Sequence, residues 1–316
     1  MSIAQRLKAI THIPDCQKSV TPPPPKSVKI ELVARCNYKC QYCAICYRNG
    51  SSTNDMDETL FRRITREMVE LGVEEIGLFY IGESFLSPDY LVRSIRYLKD
   101  VLRVPYVFLT SNASVASPKA VSQCMASGLD SLKWSCNAAN PEQFSELMGV
   151  NVSLYESALY NIKKAKETRD DNGYKTGLYA SSVKYNDRQL LLAEKVLNER
   201  VIPYVDEHYW LPLYTAGGQA KDKEKELGMR PIAGNTGRLD NPAEPIPCWV
   251  LFTGAHIRND GTMTACCLDG TGNWQVGDLK TQSFMDAWHS NEFQNLRQAH
   301  LNMDITGTKC EKCVLA

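Results

Sequence analysis

The sequence predicts an α/β protein with a parallel sheet, followed by a small domain that is rich in cysteine. Two observations carry this prediction. Between residues 26 and 216, segments with the apolar pattern of a strand alternate about six times with segments of amphipathic helical pattern. Beyond residue 247 the chain contains five of its twelve cysteines. The alternation alone does not distinguish an open doubly wound sheet from a closed or partial barrel.

The predicted elements follow one another along the chain. The first strand is an extended apolar run from Ile30 that leads into a loop with three cysteines. A capping box of Asp55 and Glu58 predicts the start of the first helix, and Gly72 predicts its end. Further strands are predicted at residues 75–80, 106–110, 131–135, 176–183 and 202–207, and further helices at residues 90–101, 118–127, 155–167 and 187–198.

Composition divides the chain into four segments. Residues 1–25 end in four consecutive prolines and are predicted to be an N-terminal extension without a packed element. Residues 26–216 carry the alternating strands and helices. Residues 217–247 are polar and contain several prolines, which predicts a linker, and residues 248–316 form the cysteine-rich domain.

Charge and cysteine content argue against several classes of protein. Lys plus Arg equals Asp plus Glu at 36 each, so a net charge of zero gives no basic footprint for nucleic acid. No apolar run is long enough to span a bilayer, and the first residues lack the apolar core of a signal peptide. Clustered cysteines without such a signal indicate metal ligation in a reducing compartment, which predicts a cytoplasmic protein with no membrane partner.

The loop after the first strand carries thiols at Cys36, Cys40 and Cys43. Three thiolates on a short loop can converge on one soft metal centre and leave it one ligand short. A structural zinc site is normally closed by four protein ligands, and Cys46 could supply the fourth from the same loop. The spacing Cys-x3-Cys-x2-Cys, with Tyr42 before the last cysteine, resembles the signature of the radical S-adenosylmethionine (SAM) enzymes.

The resemblance implies a partial (β/α)6 barrel in which the three thiolates hold a [4Fe–4S] cluster and SAM chelates its open iron. An electron from a reductant such as flavodoxin or ferredoxin then splits SAM, and the resulting 5′-deoxyadenosyl radical abstracts hydrogen from a C–H bond. The stretch around Gly82 resembles the family's Gly-Gly-Glu-Pro loop, and the stretch around Ser111 resembles its loop near the ribose. The residues implied for SAM are Tyr42, Gly82, Glu83, Ser84, Thr110, Ser111, Asn112, Ser135 and Ser182; those implied for the substrate are Asp206, Glu207, His208 and Tyr209.

A second set of thiols follows the sheet. An Asp-Gly turn at Gly261 predicts a hairpin that brings Cys266 towards Cys248, and the pair Cys310 and Cys313 can complete four ligands. This arrangement resembles the start of the SPASM domain or its shorter twitch version, which implies one auxiliary [4Fe–4S] cluster. Zinc is the alternative, since four thiolates suit either metal. Cys267 is left over, and like Cys136 it is either a buried small residue or a hydrogen-atom donor to a substrate radical.

The two resemblances imply an enzyme with radical chemistry. We expect dehydrogenation or epimerisation of a small sugar- or aminocyclitol-like metabolite, because about 26 residues before the first strand are too few for an independent domain that binds a leader peptide. The alternative enzyme is a maturase that modifies a ribosomal peptide or protein. The alternative outside catalysis is an iron–sulfur or zinc carrier or adaptor, which predicts no cleavage of SAM.

Overall fold

The computed structural model describes residues 2–48, 54–184, 187–215, 232–233 and 244–314. Most of the predicted linker at residues 217–247 therefore lies outside the described residues. Within the described part of the chain, no helix combines the length and the apolar character that crossing a bilayer requires.

One sheet runs through the molecule and does not close on itself among the described residues. Its order is β6-β5-β4-β3-β2-β1-β7-β8-β9. The strands are β1 Ser27–Ile30, β2 Glu75–Gly77, β3 Tyr106–Ser111, β4 Ser131–Ser135, β5 Gly177–Val183, β6 Glu207–Leu211, β7 Gly254–Ile257, β8 Thr262–Thr264 and β9 Gln275–Asp278. Strands β1 to β6 pair in parallel, β7 pairs in parallel with β1, and β8 and β9 are antiparallel. The predicted parallel α/β sheet is confirmed.

Helices connect the strands and cover one face of the sheet. They are α1 Ile3–Thr11, α2 Glu58–Glu70, α3 Pro88–Arg96, α4 Pro118–Ala126, α5 Pro141–Met148, α6 Ser153–Asn172, α7 Asp187–Arg200, α8 Val250–Thr253, α9 Phe284–Trp288, α10 Asn291–Leu301 and α11 Glu311–Val314. The apolar core includes the fully buried Ile64, Leu91 and Val121 from the helices and Leu132 and Leu178 from the strands. Along β4, Lys133 alternates with buried Leu132 and Trp134, so Lys133 lies on the face that the helices leave open.

Helix α2 begins two residues later than predicted. The carboxylate of Asp57 caps it by accepting a hydrogen bond from the Leu60 amide at 2.8 Å. Asp55 instead pairs with Arg35 at 2.7 Å and accepts a hydrogen bond from Ser87. The predicted cap was wrong because Asp55 is recruited by partners from other parts of the chain.

The prediction that residues 1–25 lack a packed element is wrong. Ser2 and Gln5 form a capping box that starts α1. Arg6 pairs with Glu75 at 2.6 Å, and its guanidinium lies 3.2 Å from the centre of the Tyr106 ring. The α1 helix thus covers the amino ends of the parallel strands, and Arg6 anchors it there through a charge and a ring.

The prolines of this segment are also packed. The indole nitrogen of Trp288 donates hydrogen bonds to the carbonyl oxygens of Pro22 and Pro23 at 3.2 and 3.1 Å. His289 lies 2.8 Å from the same Pro22 oxygen. Because proline fixes an extended path and leaves its carbonyl free, this stretch can serve as a row of acceptors for the C-terminal domain.

Strand β6 lies further along the chain than predicted. Residues Ile202–Tyr204 form a 3-10 turn, and the strand spans Glu207–Leu211 instead of residues 202–207. Asp206 fixes this register, because its carboxylate accepts a hydrogen bond from the Leu178 amide at 2.8 Å while its own amide donates to the Leu178 carbonyl at 2.7 Å. Asp206 and Glu207 consequently lie at the amino end of β6, away from the loop with the cysteines.

Candidate metal centres

The loop after β1 is held by the end of α5, a helix that the sequence analysis missed. The amides of Lys39 and Gln41 donate to the carbonyls of Met148 and Leu147, both at 2.9 Å. The thioether sulfur of Met148 also lies 3.2 Å from the sulfur of Cys40. The signals for α5 were present, since Asn140 caps it and Pro141 occupies its first turn.

The three cysteines of this loop are partly buried. Burial raises the pKa of Cys36 to about 12, raises that of Cys40 well above its usual range and raises that of Cys43. The neighbouring thiols act in the same direction, because each thiolate would repel the others. The raised pKa values favour protonated thiols. A bound metal centre would reverse this, since thiolates become stable when they coordinate a metal.

The loop after β2 packs directly on this first loop. A Cβ atom on Gly82 would lie 1.9 Å from the carbonyl oxygen of Val33, so glycine alone fits there. The adjacent Glu83 amide donates to the Arg35 carbonyl at 2.8 Å. Gly82 and Glu83 are therefore fixed beside the start of the cysteine loop.

The Glu83 carboxylate forms hydrogen bonds with residues at the carboxyl end of β3. It accepts hydrogen bonds from the Ser111 hydroxyl at 3.0 Å and from the Asn112 amide at 2.8 Å. Burial raises the pKa of Glu83. The Asn112 side chain donates to Asn37 at 2.9 Å and lies 3.9 Å from the Cys36 sulfur. Gly82, Glu83, Ser111 and Asn112, all predicted for SAM, thus form one connected group at the start of the cysteine loop.

Two further residues predicted for SAM have partners within the protein. The Ser84 hydroxyl donates to the Leu78 carbonyl at 2.6 Å, and Ser84 is buried. The Tyr42 hydroxyl lies 3.6 Å from the Met148 sulfur. Thr110 lies one residue before Ser111 on β3, in register with Lys133 of β4.

A buried ion pair beneath the loop was missed by the sequence analysis. Glu31 and Arg48 pair at 2.8 Å, with side chains 0% and 7% exposed. Glu31 also accepts hydrogen bonds from the amides of Ile81 and Gly82 at 3.2 and 3.1 Å, and lies 3.5 Å from the Asn259 amide. One carboxylate therefore joins the cysteine loop, the Gly82 loop and the C-terminal hairpin. The signal was a single charge inside an apolar run.

The ends of β4 and β5 carry the next predicted residues. Ser135 and Cys136 line one cavity with Asn112, Tyr38 and Met148. The Cys136 amide donates to the Ser181 carbonyl at 2.8 Å. Burial raises the pKa of Cys136 to about 12, so its sulfur keeps its hydrogen at neutral pH.

The residues predicted on β5 and β6 divide between the two faces of the sheet. Ser182 and His208 contact each other at 3.0 Å, and burial lowers the pKa of His208 to about 4. Tyr209 points to the opposite face, where Lys133 lies 6.0 Å from the centre of its ring. At the other end of the strand, Asp206 pairs with Arg169 at 2.6 Å and Glu207 accepts a hydrogen bond from the Ile3 amide. Of the four residues predicted for substrate, Glu207 and Tyr209 share the face of Lys133, and Tyr209 is the one further from the amino end of β6.

The five cysteines of the C-terminal region line a single cavity. The hairpin of β7 and β8 brings Cys266 towards Cys248, as the sequence predicted. The cavity is lined by Cys248, Cys266, Cys267, Cys310 and Cys313, and also by Trp274 and His300. Burial raises the pKa values of Cys248 and Cys266 well above the usual range, and the neighbouring Cys267 raises both further.

The two cysteine regions are in direct contact. A Cβ atom on Gly270 would lie 1.9 Å from the Ala44 carbonyl oxygen, one residue after Cys43. Tyr80, from the loop after β2, donates its hydroxyl to the Cys266 carbonyl at 2.6 Å and accepts from the Asp269 amide at 3.0 Å. The loop that carries Cys266 and Cys267 is therefore fixed against the loop that carries the first three cysteines.

Family comparisons agree with this arrangement. The family model described as the radical SAM superfamily matches residues 30–179, and the SPASM model, an iron–sulfur cluster-binding domain, matches residues 248–314. The chain belongs to the radical SAM superfamily. Its C-terminal part is a SPASM domain, as the second cysteine set predicted.

Curated relatives match only part of this radical SAM chain. A probable GTP 3′,8-cyclase of Methanosarcina acetivorans is 28% identical over 146 residues, which cover 44% of this chain and 41% of that protein. The S-adenosylmethionine-dependent nucleotide dehydratase RSAD2 of Oncorhynchus mykiss is 30% identical over 145 residues, which cover 45% of this chain and 40% of that protein. The chain thus spans less than half the length of the curated relatives it matches.

Solved structures share the fold over most of the chain. SuiB of Streptococcus suis, bound to the precursor peptide SuiA, has a TM-score of 0.64 at 15% identity and covers 92% of this chain and 68% of that one. BtrN in complex with AdoMet and 2-DOIA has a TM-score of 0.54 at 15% identity, covering 87% and 86%. The partial (β/α)6 barrel with a small C-terminal domain is confirmed.

The cofactors follow from the family. As a radical SAM protein with a SPASM domain, the chain uses S-adenosylmethionine, a [4Fe–4S] cluster and auxiliary iron–sulfur centres. Among the described residues, no three Cys, His, Asp or Glu side chains already stand around one point. The fit of the clusters therefore rests on two groups of partly buried cysteines and on the cavity that the second group lines. Radical SAM enzymes act on a substrate and need an external reductant.

Proposed function

We propose that Cys36, Cys40 and Cys43 hold the SAM-binding [4Fe–4S] cluster, and that Cys248, Cys266, Cys310 and Cys313 hold one auxiliary [4Fe–4S] cluster. The first cluster and SAM supply a 5′-deoxyadenosyl radical that removes a hydrogen atom from a substrate carbon. The cysteines of each set are partly buried, and burial raises the pKa of several of their thiols, which disfavours bare thiolates and favours a bound cationic centre. Cys46 is exposed, and its sulfur lies 3.0 Å from the Cys40 carbonyl oxygen.

Gly82, Glu83, Ser111 and Asn112 are proposed to form the wall that positions SAM. Gly82 leaves no room for a side chain, so its loop packs directly on the Val33 carbonyl at the start of the cysteine loop. The Glu83 carboxylate orders the Ser111 hydroxyl and the Asn112 amide beside Cys36. The remaining residues proposed for SAM are Tyr42, Ser84, Thr110, Ser135 and Ser182.

We propose that the overall reaction is a dehydrogenation at a carbon that bears a hydroxyl group. The contact between Gly270 and Ala44 carries this proposal, because it holds the second group of thiols against the first. A hydrogen atom leaves the carbon and a proton leaves its hydroxyl, so one further electron must leave to give a carbonyl. An auxiliary cluster adjacent to the site is a suitable acceptor for that electron.

The proposed substrate is a small sugar- or aminocyclitol-like metabolite. The solved structure of BtrN, which shares the fold over 86% of its length, contains AdoMet and 2-DOIA. The ammonium group of Lys133 lies 6.0 Å from the centre of the Tyr209 ring on the face that the helices leave open, and we propose that the substrate binds on this face. His208 is proposed to fix the carboxyl ends of β5 and β6 relative to each other through its contact with Ser182. Asp206 and Glu207 are proposed to hold the amino end of β6 in place through their hydrogen bonds with the Leu178 and Ile3 amides.

Epimerisation is the second candidate, and the state of Cys136 favours it. A thiol that keeps its hydrogen can return a hydrogen atom to the opposite face of a carbon radical, with a later electron and proton restoring the thiol. Cys267 is the alternative donor. A maturase acting on a peptide remains a third candidate, because SuiB was solved with a precursor peptide.

The test is anaerobic reconstitution with iron and sulfide, reduction with dithionite, and chromatography of 5′-deoxyadenosine in the presence of candidate substrates. Dehydrogenation predicts a product two mass units lighter and one 5′-deoxyadenosine per product. Incorporation of one deuterium from heavy water at unchanged composition would instead establish epimerisation. A fully loaded protein that never forms 5′-deoxyadenosine would mark it as a carrier or adaptor.

A matched pair of variants tests the ligand assignment. Cys43→Ala is expected to lose the SAM-binding cluster and all formation of 5′-deoxyadenosine. Cys16→Ala, at an exposed thiol outside both sets, is expected to leave both unchanged. The reductant is proposed to be a flavodoxin or ferredoxin, and the cysteine ligands favour a reducing compartment such as the cytoplasm.

A further inference from the structure

His300 is a buried polar residue that the proposed chemistry does not yet use. It lies near the end of α10, is 0% exposed, and lines the cavity of the five C-terminal cysteines. Burying an imidazole is costly unless its polar atoms have partners. The position of His300 among the thiols therefore calls for a partner inside this cavity.

The protonation of the ring follows from one hydrogen bond. The amide of Cys248 donates to Nδ1 of His300 at 3.1 Å. Because Nδ1 is the acceptor, a neutral ring carries its hydrogen on Nε2. Nε2 is buried and has no hydrogen-bond partner among the described residues. A donor N–H thus remains unsatisfied beside the thiols.

The same geometry argues against His300 as a metal ligand. An Nε2 that carries hydrogen has no lone pair for iron, and five thiols already line the cavity for four positions. Trp274 also lines this cavity, and its side chain acts to lower the pKa of Cys310, as a donor facing the thiol would. His300 fits the same role at another point of the centre.

We propose that Nε2 of His300 donates a hydrogen bond to a sulfur atom of the auxiliary iron–sulfur cluster and raises its reduction potential. The reduced cluster carries more negative charge than the oxidised cluster, so a donor stabilises the reduced form more strongly. His300 is a positioning and tuning residue, linked through Cys248 to the loop that it serves. This inference depends on the auxiliary cluster and is independent of which carbon the enzyme attacks.

The experiment measures the potential of the auxiliary cluster alone. In a background with Cys36→Ala, Cys40→Ala and Cys43→Ala, the reconstituted protein is titrated with dithionite and followed by electron paramagnetic resonance. His300→Phe is expected to lower the ratio of reduced to oxidised cluster about tenfold at a fixed potential, which is about 59 mV for a one-electron couple. His300→Gln, which keeps a donor, is expected to retain most of the original potential.

The matched control is His289→Phe. His289 lies in the same domain but contacts the Pro22 carbonyl, outside the cysteine cavity, so its variant is expected to leave the potential unchanged. If His300→Phe does not fold, the comparison of His300→Gln with His300→Met makes the same distinction between a donor and no donor.

Two outcomes would overturn the proposal. A full iron content with an unchanged potential in His300→Phe would show that Nε2 makes no hydrogen bond to the cluster. A loss of iron on this substitution would show that His300 is itself a ligand. The iron content of the triple cysteine background separately tests the cluster assignments, because only the SAM-binding cluster should be missing there.

Discussion

Gly270 of the auxiliary cysteine loop packs against the carbonyl oxygen of Ala44 so closely that a Cβ atom would lie 1.9 Å from it. Ala44 directly follows Cys43, and Gly270 lies four residues after Cys266. The two loops therefore share a contact that admits no side chain. Tyr80 reinforces it by accepting from Asp269 and donating to Cys266. Any shift of one loop must move the other.

Gly270→Ala is expected to push the two loops apart. Overpacking of this kind typically costs about 1–3 kcal/mol, and here the clash is with backbone. We expect a lower urea midpoint of unfolding. We also expect less product for each 5′-deoxyadenosine that is formed. Gly254→Ala is the control, because its added Cβ meets nothing nearer than 3.7 Å. Equal effects of the two substitutions would contradict the close contact.

Glu31→Gln is expected to destabilise the protein by about 3–5 kcal/mol, because it leaves the buried charge of Arg48 without its partner. Glutamine has nearly the same shape, so the effect reports the charge. Glu74→Gln, which breaks an exposed pair with Lys26, is expected to cost about 0–1 kcal/mol. Urea unfolding of both variants makes the comparison, and a cost for Glu31→Gln as small as the control would refute the role of the ion pair.

Arg6→Met is expected to loosen α1 from the amino ends of the strands. The substitution removes the ion pair with Glu75 and the contact with the Tyr106 ring. We expect it to lower the free energy of unfolding by about 2 kcal/mol. Hydrogen exchange of the α1 amides should accelerate. Lys8→Met alters an exposed residue of the same helix and should leave that exchange unchanged.

The burial of His208 predicts that the folded protein becomes less stable in acid. Its pKa is lowered by burial from 6.5 to about 4, so between these values the unfolded chain binds more protons than the folded chain. Stability from this residue is complete above about pH 6.5 and falls as the pH falls towards 4. His208→Phe should therefore lose less stability than the wild type between pH 7 and pH 4.5, as measured by urea unfolding. The exposed His12 provides the control, since His12→Phe should behave as the wild type.

The sequence reveals the parts of the site whose residues are close together along the chain. The spacing of Cys36, Cys40 and Cys43 is local, and so is the Asp-Gly turn that delivers Cys266. The pattern of strand and helix also predicts the parallel sheet, because each crossover unit is repeated several times. These features need no knowledge of distant contacts.

Other features depend on contacts between distant parts of the chain. Val205 and Ile202 have the composition of a strand, yet the hydrogen bonds of Asp206 to Leu178 start β6 at Glu207. Glu31 could be flagged as a charge in an apolar run, but Arg48 as its partner could not. His300 has no metal spacing in the sequence and meets Cys248 only through the packing of α10.

The position of β1 bears on how the protein is made. This strand lies between β2 and β7, so its second neighbour begins at Gly254, more than 220 residues after β1 begins. During synthesis on the ribosome, one side of β1 must wait as an unpaired edge until most of the chain has emerged. The strand that leads into the loop with Cys36, Cys40 and Cys43 is thus completed late. A chain that ends before β7 would leave this edge of β1 unpaired, which favours aggregation.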